Sequence, residues 1–254
     1  SIGAIVIAPS DEKILYVGEG ENTMRGNVSE GLGGVWKSED AGKTWKNVGL
    51  KDGRHITNIL VHPNNPSIVW AGVMGHLFGP NEERGVFKTT DGGETWSKVL
   101  YTNDTSGVAD MIMDPKNPNK IFAAMWQHSR SPWSLNSGGK GSGLYVTFDG
   151  GKNWKKLNGE GGLPTGDYGR IGLTICHDMP NRIYALIEST KSALYKSDDG
   201  GSKWEKVNED PAYTANRSFY FQDIICDPKN ENRLWLINQI VSMSEDGGRT
   251  FKTV

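Results

Sequence analysis

The chain has 254 residues with 28 basic and 30 acidic side chains, so its net charge at pH 7 is −2. This balance gives no electrostatic reason to expect nucleic acid or an anionic membrane as a partner. Apolar residues never form a run long enough to span a bilayer, which excludes a transmembrane helix. The 33 glycines, nine tryptophans and many Asp-Gly, Asn-Pro and Gly-Gly pairs predict short strands joined by tight turns.

Five units of about fifty residues follow one another, each with the same order of apolar runs and turns. A first apolar run ends at a proline or Asp-Pro turn, as in residues 2–9 and 56–63. Proline fixes φ in such turns, and Asn or Asp side chains accept local backbone hydrogen bonds. Two further apolar runs follow, and a fourth closes the unit. The units cover residues 1–50, 51–101, 102–158, 159–208 and 209–254.

This repeat predicts an all-β fold. Four strands in about fifty residues, repeated around an axis, are typical of a β-propeller blade. No segment has a sustained helical period, which argues against helical repeats. We therefore predict a β-propeller of four-stranded antiparallel blades, with five blades in this chain. Because the chain starts on a first strand and stops after a fourth, we expect one propeller domain, 1–254, that is a segment of a larger propeller with seven or more blades.

The turn before the fourth strand is the most regular part of the repeat. Its copies span residues 38–45, 89–96, 147–154, 197–204 and 244–251, and each has Ser or Thr, then Asp, then Gly, then an aromatic residue. We call these segments the Asp-Gly turns. Their aspartates and aromatic residues are Asp40 and Trp45, Asp91 and Trp96, Asp149 and Trp154, Asp199 and Trp204, and Asp246 and Phe251.

This pattern resembles the Asp-box, or bacterial neuraminidase repeat, and the resemblance covers the whole chain. The Asp-box occurs in sialidases, xyloglucan-cleaving glycosidases, photosystem assembly propellers and sortilin-type receptors. The resemblance implies a β-propeller in a secreted, periplasmic or cell-surface protein. It is greatest to sortilin-type receptors and to bacterial proteins labelled as glycosyl hydrolases. The family includes both enzymes and binding proteins, so it carries little function by itself.

We expect each Asp-Gly turn to be structural. Its Asp can accept from backbone N–H groups of the turn, its glycines supply positive φ, and its aromatic ring can pack on a neighbouring blade. Calcium is the alternative, but this ion takes about six to eight oxygen ligands and each turn offers one or two carboxylates. We therefore predict no metal ion and no cofactor, and we expect a ligand site on the opposite face.

The loops between the second and third strands lie on that opposite face and are long in the first three blades, at residues 18–33, 75–84 and 126–141. Elaborated loops on adjacent blades indicate a recognition surface, although such loops also cap propellers or pack on another domain. The first strands begin at the same face. These segments supply the predicted ligand-binding residues Arg54, His55, His76, Arg84, Trp126, His128, Trp133, Arg170 and Tyr220.

Two glycosidase chemistries suit this surface. Arginine clusters bind carboxylates, as in sialidases, but the Arg-Ile-Pro segment of sialidases is reduced here to Gly-Arg-Ile-Gly at residues 169–172. Other glycosidases need two carboxyl groups about 5–9 Å apart across a sugar. The candidate catalytic residues are Glu19, Glu21, Glu82, Glu83 and Asp110, with Trp126 and Trp133 as stacking platforms. The resemblance to xyloglucanases implies a cleft between two propellers, of which this chain offers one.

The two cysteines, Cys176 and Cys226, occupy matching positions in successive units, where the earlier units have Ile7, Val61 and Met113. A cysteine at an apolar position is usually a buried thiol. We therefore expect free buried thiols, with a disulfide as the alternative. Two cysteines do not decide the compartment.

The main functional prediction is a non-catalytic recognition or scaffolding propeller of an exported protein. Its partner would be a glycan, a protein ligand, or a neighbouring propeller or domain of the same polypeptide. The alternative is a glycoside hydrolase, xyloglucanase-like rather than a sialidase. Two carboxyls facing each other across a cleft would favour the enzyme. Pairing of the loop glutamates with Arg25, Arg54 or Arg84 would exclude it for this domain.

Overall fold

A computed structural model describes residues 1–22 and 28–254 of the chain. These residues form five antiparallel sheets in chain order. The first sheet contains β1 (Ile2–Ala8), β2 (Asp11–Glu19), β3 (Val35–Ser38) and β4 (Lys46–Asn47). The second contains β5 (Ile56–His62), β6 (Asn65–Val73), β7 (Gly85–Thr89) and β8 (Ser97–Leu100). The third contains β9 (Ser106–Asp114), β10 (Asn117–Ser131), a short added strand β11 (Ser134–Ser137), β12 (Gly143–Thr147) and β13 (Lys155–Lys156).

The fourth sheet contains β14 (Ile171–Ile175), β15 (Ile183–Ile187), β16 (Ala193–Ser197) and β17 (Glu205–Asn208). The fifth contains β18 (Asp223–Asp227), β19 (Asn230–Ile237), β20 (Val241–Ser244) and β21 (Lys252–Thr253). Within the described ranges, helix is limited to α1 (Pro211–Thr214) and a 3₁₀ turn at Lys51–Gly53. The predicted all-β fold of four-stranded antiparallel blades is confirmed.

The blades stack around an axis lined by their first strands. Apart from the added strand β11, which pairs with β10 alone, strands pair in chain order within each sheet, so each blade is an antiparallel meander. The first strands β1, β5, β9, β14 and β18 pack on one another in that order. Because side chains alternate along a strand, each blade has one face toward the preceding blade and one toward the following blade. Four clusters of buried apolar side chains fill the four junctions.

The second strand of each blade carries an aromatic residue that contacts the next blade. In the first four blades these fully buried residues are Tyr16, Trp70, Phe122 and Tyr184. The Tyr16 hydroxyl donates to the carbonyl of Pro66 in the second blade at 2.8 Å, and the Tyr184 hydroxyl donates to the carbonyl of Glu231 in the fifth blade at 3.0 Å. These contacts join apolar packing to a hydrogen bond and fix the spacing of neighbouring blades.

The Asp-Gly turns satisfy their hydrogen bonds within themselves. In the second blade, the Thr89 hydroxyl donates to Asp91 Oδ1 and accepts from the Gly93 N–H, while the Asp91 carboxylate accepts from the N–H and hydroxyl of Thr95. Donation by Thr89 and Thr95 lowers the pKa of Asp91. The residue after Asp has positive φ in every turn, which glycine adopts without strain at four of them, including Gly92 at 76°. These bonds make the turns structural elements.

The cysteines form a disulfide between the fourth and fifth blades. Cys176 follows β14, Cys226 lies in β18, and their Cα atoms are 5.6 Å apart. Both side chains are buried, as expected for these apolar positions. The expectation of two free thiols was wrong. Sequence places both residues at equivalent positions of adjacent inner strands, and such neighbours are close enough to bond.

Candidate functional site

The upper face, defined as the side opposite the Asp-Gly turns, is closed by loops that meet over the axis. The Arg170 guanidinium, at the start of the fourth blade, donates to Asn22 Oδ1 from the first blade at 3.5 Å. Val28 comes from the connection between β2 and β3, and Phe219 comes from the connection before β18. They pack against a buried cluster formed by Met74, Leu77, Ala109 and Trp126. The loops therefore cap the propeller with an apolar plug.

Arg84 is fully buried and joins three chain segments through hydrogen bonds to their main-chain carbonyls. Its Nη1 donates to the carbonyls of Thr105 at 2.9 Å and His128 at 3.3 Å, and its Nη2 donates to the carbonyl of His76 at 2.9 Å. Burial lowers the pKa of Arg84 to about 10, so it remains cationic at neutral pH. A guanidinium enclosed by main-chain carbonyls is not presented to a ligand, which corrects the ligand-binding prediction for Arg84.

Arg170 lies in a second internal network near the axis. Its Nη1 donates to the Tyr220 carbonyl at 3.2 Å, and its Nη2 lies 3.8 Å from Asp223 Oδ1. The guanidinium carbon lies 5.6 Å from the ring centroid of Trp126, within the range of a cation–π contact. Burial lowers the pKa of Arg170. The structure thus brings three predicted ligand-binding residues together, but their partners are protein atoms.

Two predicted histidines are fully buried under the loops. The His128 ring packs on Trp126 with centroids 4.4 Å apart. Burial, followed by the positive charge of Arg84, lowers the pKa of His128 to about 3, and burial also lowers the pKa of His55. Neither ring nitrogen of His128 finds a hydrogen-bond partner within residues 1–22 and 28–254, nor does Nε2 of His55. Both rings are therefore neutral parts of the cap.

Asp110 is the candidate carboxyl that lies on one of the first strands, which line the axis. It lies on β9, and its Oδ1 accepts from Asn58 Nδ2 at 3.0 Å and from the Met111 N–H at 2.8 Å. Its Oδ2 accepts from the Leu173 N–H on β14 at 2.8 Å, so one side chain joins three blades. Burial, reinforced by the negative charge of Asp223, raises the pKa of Asp110 to about 7. The residue is half-buried, so it retains contact with solvent.

Glu19 holds the first loop in place. Its Oε2 accepts from the N–H groups of Leu32 and Gly33, each at 2.9 Å, and its Oε1 accepts from Trp36 Nε1 at 2.6 Å. Burial alone would raise the pKa of Glu19, but these donors outweigh it and the pKa falls. A carboxyl group with a lowered pKa is a poor proton donor near neutral pH, so Glu19 is not suited to act as a catalytic acid.

The remaining loop glutamates lie at the rim. Glu21 Oε1 accepts from the Ser29 N–H at 3.2 Å, and the predicted pairing with Arg25 lies outside the described residues. Glu82 is exposed and Glu83 is half-buried on the connection before β7. In the described part of the chain, neither of these two forms an ion pair with an arginine. The pairing that would exclude an enzyme is therefore not seen for Glu82 and Glu83.

Arg54 and His76 also lie at the rim and are half-buried. The Arg54 carbonyl accepts from the Gly31 N–H at 2.9 Å, and the His76 carbonyl accepts from Asn81 Nδ2 at 2.9 Å. Their main chains thus hold loops together, and a ligand-binding role for their side chains stays a prediction.

The long loop of the third blade is a hairpin arm. β10 continues past the sheet and pairs with β11, from His128 opposite Ser137 to Ser131 opposite Ser134. Trp133, at the tip, is 86% exposed, whereas Trp126, at the base, is 1% exposed. Trp126 therefore cannot be the stacking platform predicted from sequence, while Trp133 presents its ring to solvent.

Glu188 was missed by sequence reasoning. It follows β15, and its Oε2 accepts from the Ser137 hydroxyl and from the Arg170 N–H, each at 2.7 Å. Ser137 Oγ in turn accepts from Trp126 Nε1 at 3.1 Å, so Glu188 anchors the base of the hairpin arm to the fourth blade. One sequence signal could have identified Glu188. It directly follows an apolar second strand, and Glu19, at the end of β2, occupies a similar place and also holds a loop by accepting hydrogen bonds.

Open grooves lie on the lower face between consecutive Asp-Gly turns. The groove between the first and second turns has a volume of about 710 Å³ and is lined by residues that include Trp45 and Trp96. A groove of about 210 Å³, which includes Trp204, occupies the same place between the third and fourth blades. Both grooves lie between an Asp-Gly turn and the preceding blade, at the same place in two different junctions.

Within residues 1–22 and 28–254, no group of three or more His, Cys, Asp or Glu side chains is placed to hold a metal ion. No helix in that part of the chain is long and apolar enough to cross a membrane. The upper face carries an axial carboxyl of raised pKa, Asp110, a nearby aspartate, Asp223, and an exposed tryptophan, Trp133.

The sequence profile of the Sortilin-Vps10 family, described as sortilin, neurotensin receptor 3, matches residues 33–163, which is just over half of the chain. The chain belongs to the Sortilin-Vps10 family. The family is one of β-propellers, in agreement with the fold. Membership assigns the architecture and leaves the activity to the site.

Curated relatives of the chain bear the name xyloglucanase. Xyloglucanase Xgh74A of Acetivibrio thermocellus is 23% identical over an alignment that covers 100% of this chain and 32% of that protein. A xyloglucanase of Hypocrea jecorina is 26% identical and covers 63% of this chain and 20% of that protein. The chain therefore spans a fifth to a third of the length of these relatives.

Solved structures agree on the fold. An ancestral GH74 enzyme superposes with a TM-score of 0.71 at 18% identity, covering 100% of this chain and 31% of that chain. The GH74 xyloglucanase of Xanthomonas campestris superposes with a TM-score of 0.68 at 15% identity, covering 96% of this chain and 36% of that chain. At these identities the solved structures support the fold alone. The curated relatives named xyloglucanase favour the glycoside hydrolase alternative over the non-catalytic recognition function that was the main prediction.

Proposed function

We propose that the chain is a propeller of an exported glycoside hydrolase that acts on a xyloglucan-type polysaccharide. The observation that carries this proposal is the alignment of the entire chain with relatives named xyloglucanase. The disulfide supports export, because such bonds persist in oxidising compartments. The hydrogen bonds repeated in the five Asp-Gly turns support their assignment as Asp-boxes.

Asp110 is proposed as the proton donor of the reaction. A general acid works best when its pKa lies near the operating pH, and the pKa of Asp110 is raised to about 7. Asp223, on the inner strand of the fifth blade, is proposed as the second carboxylate. It is exposed, it lies 3.8 Å from Arg170, and its charge contributes to the raised pKa of Asp110. The raised pKa lets Asp110 keep its proton to a higher pH than an ordinary aspartate does.

Trp133 is proposed to bind the polysaccharide. An exposed indole supplies a flat apolar surface with little conformational entropy to lose, which suits stacking against a sugar ring. The arm that carries it is anchored through Ser137 to Glu188. Trp133 is therefore held on a supported hairpin and not on an unsupported loop.

The test is release of reducing ends from xyloglucan, with cellulose and a mixed-linkage glucan as comparison substrates. Asp110→Asn should lower kcat about 100-fold or more, since loss of a general acid typically costs this much. It should also remove the alkaline limb of the pH profile. Asp167→Asn, which changes an exposed carboxylate on the connection before β14, is the matched control and should leave kcat unchanged. Wild-type turnover by Asp110→Asn would refute the assignment.

A second candidate function is binding of a glycan without cleavage. It is favoured by the apolar plug and by the enclosed guanidinium groups of Arg84 and Arg170, which leave the exposed ring of Trp133 as the main contact surface. Isothermal titration with xyloglucan oligosaccharides separates the two functions. Binding that is lost in Trp133→Ala, without any product from the wild-type chain, would support recognition and contradict hydrolysis.

A further inference from the structure

The main chain of Glu188 is held in place by the fourth sheet. Its N–H donates to the Arg170 carbonyl at 3.0 Å, and its carbonyl accepts from the Gly169 N–H at 2.8 Å. These two bonds continue the pairing of β14 with β15 by one residue beyond Ile171 and Ile187. The half-buried side chain of Glu188 therefore starts from a hydrogen-bonded element at the upper face.

The carboxylate of Glu188 joins two chain segments. Its Oε2 accepts from the Ser137 hydroxyl, at the base of the hairpin arm, and from the Arg170 N–H, each at 2.7 Å. A β-carbon added to Gly169 would lie 2.1 Å from this oxygen, so the glycine leaves the room in which the carboxylate packs on the main chain. Hydrogen bonds to an ionised carboxylate are about twice as strong as neutral ones. Glu188 thus fixes the base of the arm against the segment before β14.

Two further contacts close a cycle of side chains around this carboxylate. Trp126 Nε1 donates to Ser137 Oγ at 3.1 Å, and the guanidinium carbon of Arg170 lies 5.6 Å from the ring centroid of Trp126. Each of the four residues therefore contacts two others of the cycle. A connected network of this kind makes its surroundings rigid, so removal of the Glu188 carboxylate should loosen the other three.

The hairpin arm is attached at its base and closed on itself at its tip. Ser137, at the base, donates to Glu188. At the tip, the hydroxyl groups of Ser131 and Ser134 are bonded to each other at 2.7 Å, and Trp133 between them is 86% exposed. The direction in which the Trp133 ring points is therefore set from the base of the arm, where Glu188 lies.

Arg170 extends the cycle to the axis. Its Nη2 lies 3.8 Å from Asp223 Oδ1. Burial lowers the pKa of Arg170, and the negative charges of Asp223 and Asp110 act against this fall, as does that of Glu188. Arg170 is therefore the member of the cycle that connects Glu188 with the two axial carboxyls.

We propose that Glu188 is a positioning residue, which aligns the hairpin arm with the axial carboxyls by holding Ser137 and Arg170 together. This role rests on the proposed function, because it serves a glycan that is stacked on Trp133. Glu188 supplies an acceptor oxygen at a fixed place and transfers no proton. A glutamine side chain can supply the same oxygen, which separates this role from that of a catalytic carboxyl.

The experiment compares Glu188→Ala and Glu188→Gln with the wild type on xyloglucan and its oligosaccharides. Glu188→Ala should raise the Kd of the oligosaccharides about tenfold in isothermal titration and lower kcat about tenfold or more, because a misplaced substrate reacts slowly even when the catalytic groups are intact. Glu188→Gln should keep both values within about threefold of the wild type, since it retains the acceptor. Glu94→Ala is the matched control, because it removes an exposed glutamate of the second Asp-Gly turn, and it should behave like the wild type.

A double-mutant cycle with Trp133→Ala measures whether Glu188 acts through the arm. Trp133→Ala alone should weaken binding, and adding Glu188→Ala to it should change Kd by less than about threefold, since both substitutions act on one contact. Hydrogen exchange of the main-chain amides of residues 129–136 should be faster in Glu188→Ala than in the wild type. If Glu188→Ala does not fold in thermal unfolding, Ser137→Ala takes its place, because it removes the other side of the same hydrogen bond.

The outcomes separate this role from the proposed function. Wild-type Kd and kcat in Glu188→Ala would overturn the positioning role and leave the hydrolase intact, and so would fully additive losses in the double-mutant cycle. A loss of turnover in Glu188→Gln as large as that in Asp110→Asn would show that Glu188 is catalytic. A wild-type chain that neither binds nor cleaves xyloglucan would refute the proposed function, and the positioning role with it.

Discussion

Replacing Cys176 and Cys226 by Ala should cost the chain about 4 kcal/mol of unfolding free energy. The bond joins residues 50 positions apart, so it closes a loop of about fifty residues in the unfolded chain. The chain-entropy relation for a loop of this size gives about 4 kcal/mol near room temperature. Both sulfurs are buried, and their replacement by methyl groups adds a smaller packing loss.

The assay is denaturant unfolding followed by tryptophan fluorescence, with the wild type measured with and without a reducing agent. Reduced wild type is the matched control, because it loses the bond and keeps both sulfur atoms. It should lie within about 1 kcal/mol of the double variant. Hydrogen exchange should increase most in the fifth blade, which the bond attaches to the fourth. A double variant that loses less than about 1 kcal/mol would refute the reasoning.

Four further predictions concern the upper face. Arg84→Met should lower stability by about 3 kcal/mol in thermal unfolding, since it leaves several buried carbonyls without a donor. An unchanged melting temperature would contradict the stabilising role of these hydrogen bonds. Gly85→Ala should lower stability more than Gly79→Ala. Both glycines have positive φ, at 125° and 103°, but only at Gly85 would a β-carbon overlap a neighbouring carbonyl. Equal losses of stability in thermal unfolding would show that the backbone angle alone determines the cost. The raised pKa of Asp110, about 7 against 3.8, makes wild-type stability fall as pH rises between these values, so Asp110→Asn should flatten that fall. The pKa of His128 is lowered to about 3 from 6.5, so wild-type stability falls as pH drops between these values. His128→Phe should flatten that fall. If the melting temperatures of Asp110→Asn and His128→Phe follow the wild type across this pH range, the pKa shifts of Asp110 and His128 are contradicted.

The fold followed from the sequence because the signals that fix it are local. The bonds of a turn such as Thr89 to Thr95 form within seven residues, so the residue types and their spacing contain the necessary information. The apolar runs of the strands supply side chains to both faces of each blade. This pattern can be recognised in the sequence without knowing which segments pack together. The extension of β10 into a hairpin arm was not predicted, because Pro132 and the polar residues around it are also typical of a loop.

The site was harder to predict because its residues are polar groups whose partners come from distant parts of the chain. Residue type suggested that Arg84 and Arg170 bind ligands, but main-chain carbonyls of loops far away in sequence enclose them. Trp126 and Trp133 are seven residues apart and differ fully in exposure. Asp223 was overlooked, since its position beside Arg170 depends on how the inner strands converge. Asp110 was selected correctly as an axial residue, and its catalytic role stays a prediction.

The hydrogen bonds of each Asp-Gly turn involve no residue of the upper face, so loops on that face can change in length without disturbing the turns. A blade keeps its register when the loop between its second and third strands is lengthened, since extra loop length costs little conformational entropy. The hairpin arm of the third blade has the form of such an insertion, because the register of β10 with β9 and β12 continues through the sheet below it. New recognition segments could therefore be grafted between residues 128 and 137 while the five blades fold as before.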